Sequence, residues 1–195
     1  MNRIFALALL AWSTATLAES QVLDFRGTPF GTTESDFVAK MPYFRCVDAA
    51  SRQLEQADRI CEVDVNNSDA MIYANRTATK IEAHFIDGKF VHVETKFIFQ
   101  GNGKPLSSAL QMMETQNAIL PILISRYGQP TPKQPGESRD FTSWELPSGR
   151  ILTYAYESRI VGLSSSYMVS FSVPNYNQIL RERQAPRLKK ESKGM

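Results

Sequence analysis

Between Thr79 and Phe99 the chain reads TKIEAHFIDGKFVHVETKFIF, and the alternation in this stretch leaves it few ways to fold. Ile81, Ala83, Phe85, Val91, Val93, Phe97 and Phe99 are apolar at odd positions, with Lys80, Glu82, His84, His92, Glu94 and Lys96 between them. A period of two belongs to strands, whose successive side chains point to opposite faces. A two-residue Asp87-Gly88 loop is the usual hairpin turn for such a pair, but it sets odd positions beside even ones. The pattern therefore predicts a three-residue loop, Ile86 to Gly88, with Gly88 supplying the left-handed residue of a bulge. In that register Lys80 faces Glu94 and Glu82 faces His92. Sliding the strands by two residues sets Glu82 against Glu94 and Lys80 against Lys96, which like-charge repulsion disfavours. Phe90 falls with the charged residues on the even, outward side.

The opening MNRIFALALLAWSTATLA carries one basic residue, Arg3, an apolar run from Ile4 to Trp12, and small residues Thr16 and Ala18 before a cleavage point. It reads as a signal peptide over residues 1–18, cleaved after Ala18, and predicts a secreted or periplasmic protein. The apolar run is about half of the roughly 20 residues a membrane span needs. No cysteine follows the cleavage point, so a lipid anchor is not expected there. Residues 19–173 suffice for one domain with its own core.

An exported chain with two cysteines, Cys46 and Cys61, is expected to join them in a disulfide. A metal or thiol role would call for a histidine close by, and neither cysteine has one. The formal net charge of +2 is unevenly spread. Residues 174–195 hold Arg181, Arg183, Arg187, Lys189, Lys190 and Lys193 against Glu182 and Glu191, leaving the body mildly acidic. A basic face for nucleic acid is therefore absent from the body. The end of the chain, without apolar periodicity after Leu180, reads as a solvated, disordered basic tail that could touch anionic lipid or polysaccharide.

Residues 22–30 suggest an extended arm closed by Gly27 and Pro29. Thr33 with Asp36 marks a helix start, Phe37, Val38 and Met41 its apolar side, and Pro42 its stop. Between the cysteines, DAASRQLEQADR with Asp48 as cap suggests one to three helical turns. Ile60 to Val65 reads as a strand with Cys61 facing inward, Asn66 to Asp69 as a turn, and Ala70 to Ala74 as a further short strand. After a loop from Gly101 to Pro105, the spacing of Ser108 and Gln111 suits a capping box opening the longest helix, which ends at Tyr127 with Gly128 as stop. Leu110, Met113, Leu120, Leu123, Ile124 and Tyr127 are its expected buried stripe, and Pro121 predicts a kink or two abutting helices.

A Pro-rich linker, QPTPKQPGES, leads to DFTSWELPSGRILTYAYE. There a three-residue Pro147–Gly149 loop would pair Leu146 with Arg150 and gather Trp144, Leu152, Tyr154 and Tyr156 on the core face. Tyr167, Val169, Phe171 and Val173 then point inward from a closing strand. The fold class that follows is α+β: a single domain, an antiparallel sheet with helices packed on one face and water on the other, and a possible internal duplication of one helix-plus-sheet unit.

No catalytic constellation is visible. The two histidines, His84 and His92, share the polar hairpin face with Glu82 and Glu94, where a metal held by both histidines and one of these carboxylates is conceivable. Ser164, Ser165 and Ser166 fall in a loop without the glycine frame of a nucleophile elbow. No phosphate-cradling or dinucleotide motif is present, so no cofactor is expected. Asn66 and Asn75 stand in glycosylation sequons, relevant only in a eukaryotic secretory pathway.

The helix opening GTTESDFVAKMP, the longer helix ending RYGQPT and the Trp-bearing strand SWEL resemble the helix-plus-antiparallel-sheet units of the β-lactamase inhibitor protein and of the small outer-membrane assembly lipoproteins. The chain departs from the lipoproteins in lacking their anchoring cysteine. The resemblance implies a non-enzymatic protein holding another macromolecule on its open sheet face. On the residues alone that face is Lys80, Glu82, His84, Phe90, His92, Glu94 and Lys96. The expected function is an exported soluble binding protein (an inhibitor, immunity protein or envelope assembly adaptor) with an exported protein partner. Two other readings stay open: a small-ligand or metal carrier using His84 and His92, and a hydrolase using carboxylates such as Glu82 and Glu94.

Overall fold

The computed structural model describes residues 22–52, 57–64, 66–101, 106–133, 140–157 and 164–191. The expected signal peptide and its cleavage point lie outside these residues. So do parts of the helical segment between the cysteines, of the Gly101–Pro105 loop and of the Pro-rich linker.

The chain opens with a short ribbon, β1 (Asp24–Phe25) and β2 (Thr28–Pro29), then α1 (Glu34–Lys40), β3 (Phe44–Asp48) and β4 (Arg59–Val63). A second ribbon, β5 (Ile72–Tyr73) and β6 (Arg76–Thr77), precedes the long hairpin β7 (Lys80–Ile86) and β8 (Lys89–Gln100). Then follow α2 (Ser107–Tyr127), β9 (Phe141–Leu146), β10 (Gly149–Glu157), β11 (Ser164–Ser172) and α3 (Tyr176–Glu191). Seven strands form one fully antiparallel sheet in the order β3-β4-β7-β8-β11-β10-β9. The α+β class and the antiparallel sheet are as the sequence implies. No described helix is long and apolar enough to cross a membrane.

The α1 start is built as expected: Thr33 caps it, its hydroxyl accepting the Asp36 N–H at 3.2 Å. Phe37 is fully buried against Phe44, Phe85 and Phe90, with ring centroids 4.8–5.2 Å apart. Burying each such ring contributes roughly 2–3 kcal/mol. Cys46 and Cys61 form the expected disulfide, directly opposite each other on β3 and β4. In the next segment Asp48 accepts the Ala50 N–H at the head of a 3-10 turn over Ala49–Arg52.

Both long hairpins turn on two residues, not three. Asp87 and Gly88 take φ of 51° and 69°, the left-handed pair that a tight hairpin requires. Ile86 then pairs Lys89 and Phe85 pairs Phe90, after which one extra residue, Val91, shifts the register so that His84 faces His92. The bulge reconciles the faces that a regular two-residue hairpin would leave opposed. It also sends Phe90 into the core, fully buried, where the sequence reading had it outward. Glu82 faces Glu94 and Lys80 faces Lys96, the register that like-charge repulsion seemed to exclude. Pairing with a third strand removes that objection, because Lys80 lies 2.9 Å from Glu62 on β4 and 2.5 Å from Glu82.

In the second hairpin Pro147-Ser148 forms the turn, so Ile151 faces Trp144 and Thr153 faces Thr142. Trp144, Ile151 and Thr153 are buried, while Leu152, Tyr154 and Tyr156 pass to the opposite face, a reversal of the expected arrangement. Gly149 admits no side chain: a Cβ there would sit 2.3 Å from the Ser172 carbonyl oxygen and 2.6 Å from Leu23.

Helices α1 and α2 cover the face carrying Ile81, Ala83, Phe85, Val93, Phe97, Tyr167, Val169 and Phe171. The inward set predicted for β11 holds at Tyr167, Val169 and Phe171. The stripe expected on α2 holds in its second half, where Leu123 and Tyr127 are buried and Leu120 and Ile124 pack against the core, but is rotated in the first half. Ser108, Met112, Thr115, Ile119, Leu123 and Tyr127 are buried, and Leu110 and Met113 are exposed. Small hydroxyl side chains let the helix approach closely, and each is satisfied: the Ser165 hydroxyl donates to Ser108 at 3.2 Å and Thr115 donates to the Gln111 carbonyl at 2.9 Å. No capping box forms at Ser108; the helix starts after a left-handed Leu106, and Pro121 lies within one continuous helix. Ser164, Ser165 and Ser166 belong to β11, not to a loop.

Candidate functional site

The second sheet face carries its polar residues in rows across the strands. Glu62, Glu82 and Glu94 stand side by side on β4, β7 and β8, and the next row is Ile60, His84, His92 and Ser172. A third row runs Lys80, Lys96, Met168, Tyr154 and Phe141 to the far edge of the sheet. These rows contain the interface and metal candidates read from the sequence.

The tail expected to be disordered closes part of this face. Its first described turn places Tyr176 against Ile86 and Val91, with Val173, Ile179 and Leu180 packed alongside. Tyr176 stacks on the His92 ring at 4.5 Å and 2°, and Arg183 pairs with Asp58 farther along α3. The signal for this contact was present as Tyr176, Ile179 and Leu180, spaced for one helical face. The basic residues after them hid it.

Beneath Tyr176 the polar groups are tied to one another. The His84 ring bridges two partners, its Nε2 2.7 Å from Glu82 Oε1 and its Nδ1 3.2 Å from the Tyr176 hydroxyl. The two imidazoles lie 5.0 Å apart, edge to face. Burial alone would raise the Glu82 carboxyl, but its hydrogen-bonded neighbours His84, Glu62 and Lys80 outweigh burial and hold it well below the usual carboxylate range. For His92, burial and then the adjacent His84 depress the pKa to about 3, so the ring is neutral at physiological pH. Burial raises the Tyr176 phenol, reinforced by Glu94 and Glu82, and it stays protonated.

The exposed docking row proposed from the sequence is thus divided. Glu82, His84 and His92 are buried, Phe90 belongs to the opposite core, and only Lys80, Glu94 and Lys96 remain half-exposed. The four metal candidates do not converge either. Among the described residues, the ligating atoms that gather within 4.8 Å are those of Glu34, Cys46 and Cys61, whose sulfurs are already bonded to each other.

Beyond Tyr176 the face stays open over β8, β11, β10 and β9. Tyr156 is 49% exposed and Ile98 39%, and Leu152, Tyr154, Met168 and Phe141 are half-exposed beside them. Lys133 reaches over the Phe141 ring, its Nζ 5.3 Å from the centroid. Leu152, Tyr154 and Tyr156 share the core face with Trp144 only across a three-residue turn; with Pro147-Ser148 as the turn they point outward.

Cavities also open among the described residues. Two open grooves flank β3, one of about 490 Å³ between Tyr43, Arg45, Asp64 and Asn67, and one of about 660 Å³ beside the disulfide, lined by Glu34, Val38 and Phe44. A third, of about 400 Å³, lies between Met112, Asp140 and Tyr156. Another, of about 120 Å³, lies between β1, α2 and Phe171. The chain matches no family model, no characterised protein and no solved structure. The fold and the face define its class, an α+β protein whose second sheet face is covered by α3 over one half and exposed over the other.

Proposed function

We propose that this is an exported, soluble, non-enzymatic binding protein that holds a protein partner on the open half of its second sheet face. The observation that carries the reading is the contiguous set Leu152, Tyr154, Tyr156, Met168, Phe141 and Ile98, bordered by Lys80, Glu94 and Lys96. Aromatic and methionine side chains with a charged rim are the composition that interfaces favour. The disulfide suits an oxidising compartment, which supports export. The resemblance to the β-lactamase inhibitor protein and to the small assembly lipoproteins points the same way. The buried Glu82–His84–Tyr176 chain fits a part in locking α3 to the sheet better than one in hydrolysis, since each group is engaged by its neighbours.

The test is co-purification of the tagged protein from its native envelope fraction, comparing the wild type with a Tyr154→Ala, Tyr156→Ala double variant. A stoichiometric partner recovered by the wild type and lost by the variant supports the reading. Repeated recovery of a monomer without a partner, or undiminished capture by the variant, overturns it.

A further inference from the structure

Glu34, the first residue of α1, brings a carboxylate oxygen within 4.8 Å of both sulfurs of the Cys46–Cys61 pair. Its position is set by the core, because Phe37, one turn on, packs against Phe44 of β3 and Phe85 of β7. Its orientation is set by Arg59, two residues before Cys61 and therefore on the same face of β4. Arg59 Nε and Nη2 donate to the two carboxylate oxygens at 3.0–3.2 Å. Cys61 is fully buried, whereas Cys46 is half-buried and lines the 660 Å³ groove together with Glu34, Val38 and Phe44. One side of the group therefore opens to solvent.

No histidine stands near either cysteine in the sequence, but the fold supplies a carboxylate in its place. While the sulfurs are bonded to each other they ligate nothing. Reduction by a dithiol adds two electrons and two protons to the pair, breaks the S–S bond and releases the dithiol as its own disulfide. Two thiols then stand directly opposite each other on β3 and β4, facing Glu34. With both ionised, two thiolates and one carboxylate meet the single positive charge of Arg59. A divalent cation that displaces the two thiol protons brings the group to neutrality. Thiolate ligands select zinc over magnesium or calcium. Bond lengths of about 2.3 Å to sulfur and about 2.1 Å to oxygen in a tetrahedron need ligand atoms within roughly 4 Å of one another, a small adjustment from this arrangement. A carboxylate held by arginine keeps lone pairs for a metal, and such hydrogen-bonded support is usual behind a ligand.

We infer that Cys46, Cys61 and Glu34 form a redox-gated zinc site: closed as the disulfide, and on reduction a three-ligand site whose fourth position faces the groove and takes water. Arg59 is its positioning residue. The site lies on the helix-covered side of the sheet, away from the proposed protein-binding face, so the two readings stand or fall separately.

The experiment compares the full protein, oxidised and reduced with a trialkylphosphine, in zinc titrations against a chromophoric chelator and in thermal melts with and without zinc. The reduced protein is expected to bind one zinc and the oxidised protein none. Zinc at about a hundredfold above its Kd should raise the melting temperature of the reduced protein by about 5–10 °C and leave the oxidised protein unchanged. Cys46→Ser, which has no disulfide under either condition, should melt near the reduced wild type and show no response to zinc. Glu34→Gln keeps the disulfide, so its fold is checked in the oxidised form, and once reduced it should bind zinc about a hundredfold more weakly. A reduced wild type that neither binds zinc nor gains stability from it overturns the inference. Equal zinc binding by oxidised and reduced protein, or a response that survives Cys46→Ser or is undiminished in Glu34→Gln, overturns it too by placing the metal on other ligands.

Discussion

Replacing His92 with phenylalanine isolates the energetics of the closed half of the second face. The His92 pKa of about 3 lies far below the ordinary imidazole value of 6.5, because the ring is buried beneath Tyr176 and beside His84, with Glu82 the nearest compensating charge. Below pH 6.5 the unfolded chain takes up a proton that the folded ring refuses. The stability held by neutral His92 is therefore complete above pH 6.5 and is lost as the pH falls toward 3. At pH 5 the deficit spans about 1.5 pH units at roughly 1.4 kcal/mol each, or about 2 kcal/mol. Glu82, held low in the folded state, loses its contribution only below its own ordinary value of 4.5, so its window is separate. Phenylalanine keeps the flat ring against Tyr176 and has no proton to gain. Urea unfolding at pH 7.5 and pH 5.0 should show the wild type about 2 kcal/mol less stable at the lower pH, equivalent to roughly 4–8 °C in Tm. His92→Phe should show a much smaller loss. Equal slopes in the two proteins, or a wild type indifferent to pH over this range, would refute the account of a sealed, neutral ring.

Four further outcomes follow from the packing. Reduction of the Cys46–Cys61 disulfide, which closes a sequence separation of 15, should lower stability by roughly 3 kcal/mol, read as a lower melting temperature in reductant. Phe90→Ala should cost about 3–5 kcal/mol in chemical denaturation, since the bulge at Val91 places that ring in the core; a loss under about 0.5 kcal/mol would return it to the surface. Gly149→Ala should destabilise by more than 1 kcal/mol, because its Cβ collides with the Ser172 backbone and Leu23, and a neutral result by the same assay would mean that the N-terminal segment yields. Trp144→Phe removes the indole hydrogen bond to the Gly128 carbonyl at 2.8 Å and should cost about 1–3 kcal/mol in the same denaturation.

The sequence by itself determined the parts that rest on local chemistry. Thr33 with Asp36 and Pro42 bounds α1 because cap, first turn and stop lie within ten residues of one another. Tyr167, Val169 and Phe171 alternate inward, and two cysteines without a rival partner close one disulfide. Tertiary structure decided whatever depends on a third element. Two strands alone disfavour Glu82 opposite Glu94, and only Glu62 and Lys80 on neighbouring positions make that register tolerable. One bulged residue, Val91, interchanges the faces of Phe90 and its neighbours, and period counting has no term for it. In α2 the sheet selects the side carrying Ser108 and Thr115 over the greasier side carrying Leu110 and Met113, because close approach of the backbones outweighs a wider apolar stripe. The fate of His84 and His92 was settled by Tyr176, more than eighty residues along the chain. Alternation fixes which residues share a face, but whether that face meets water depends on what packs over it.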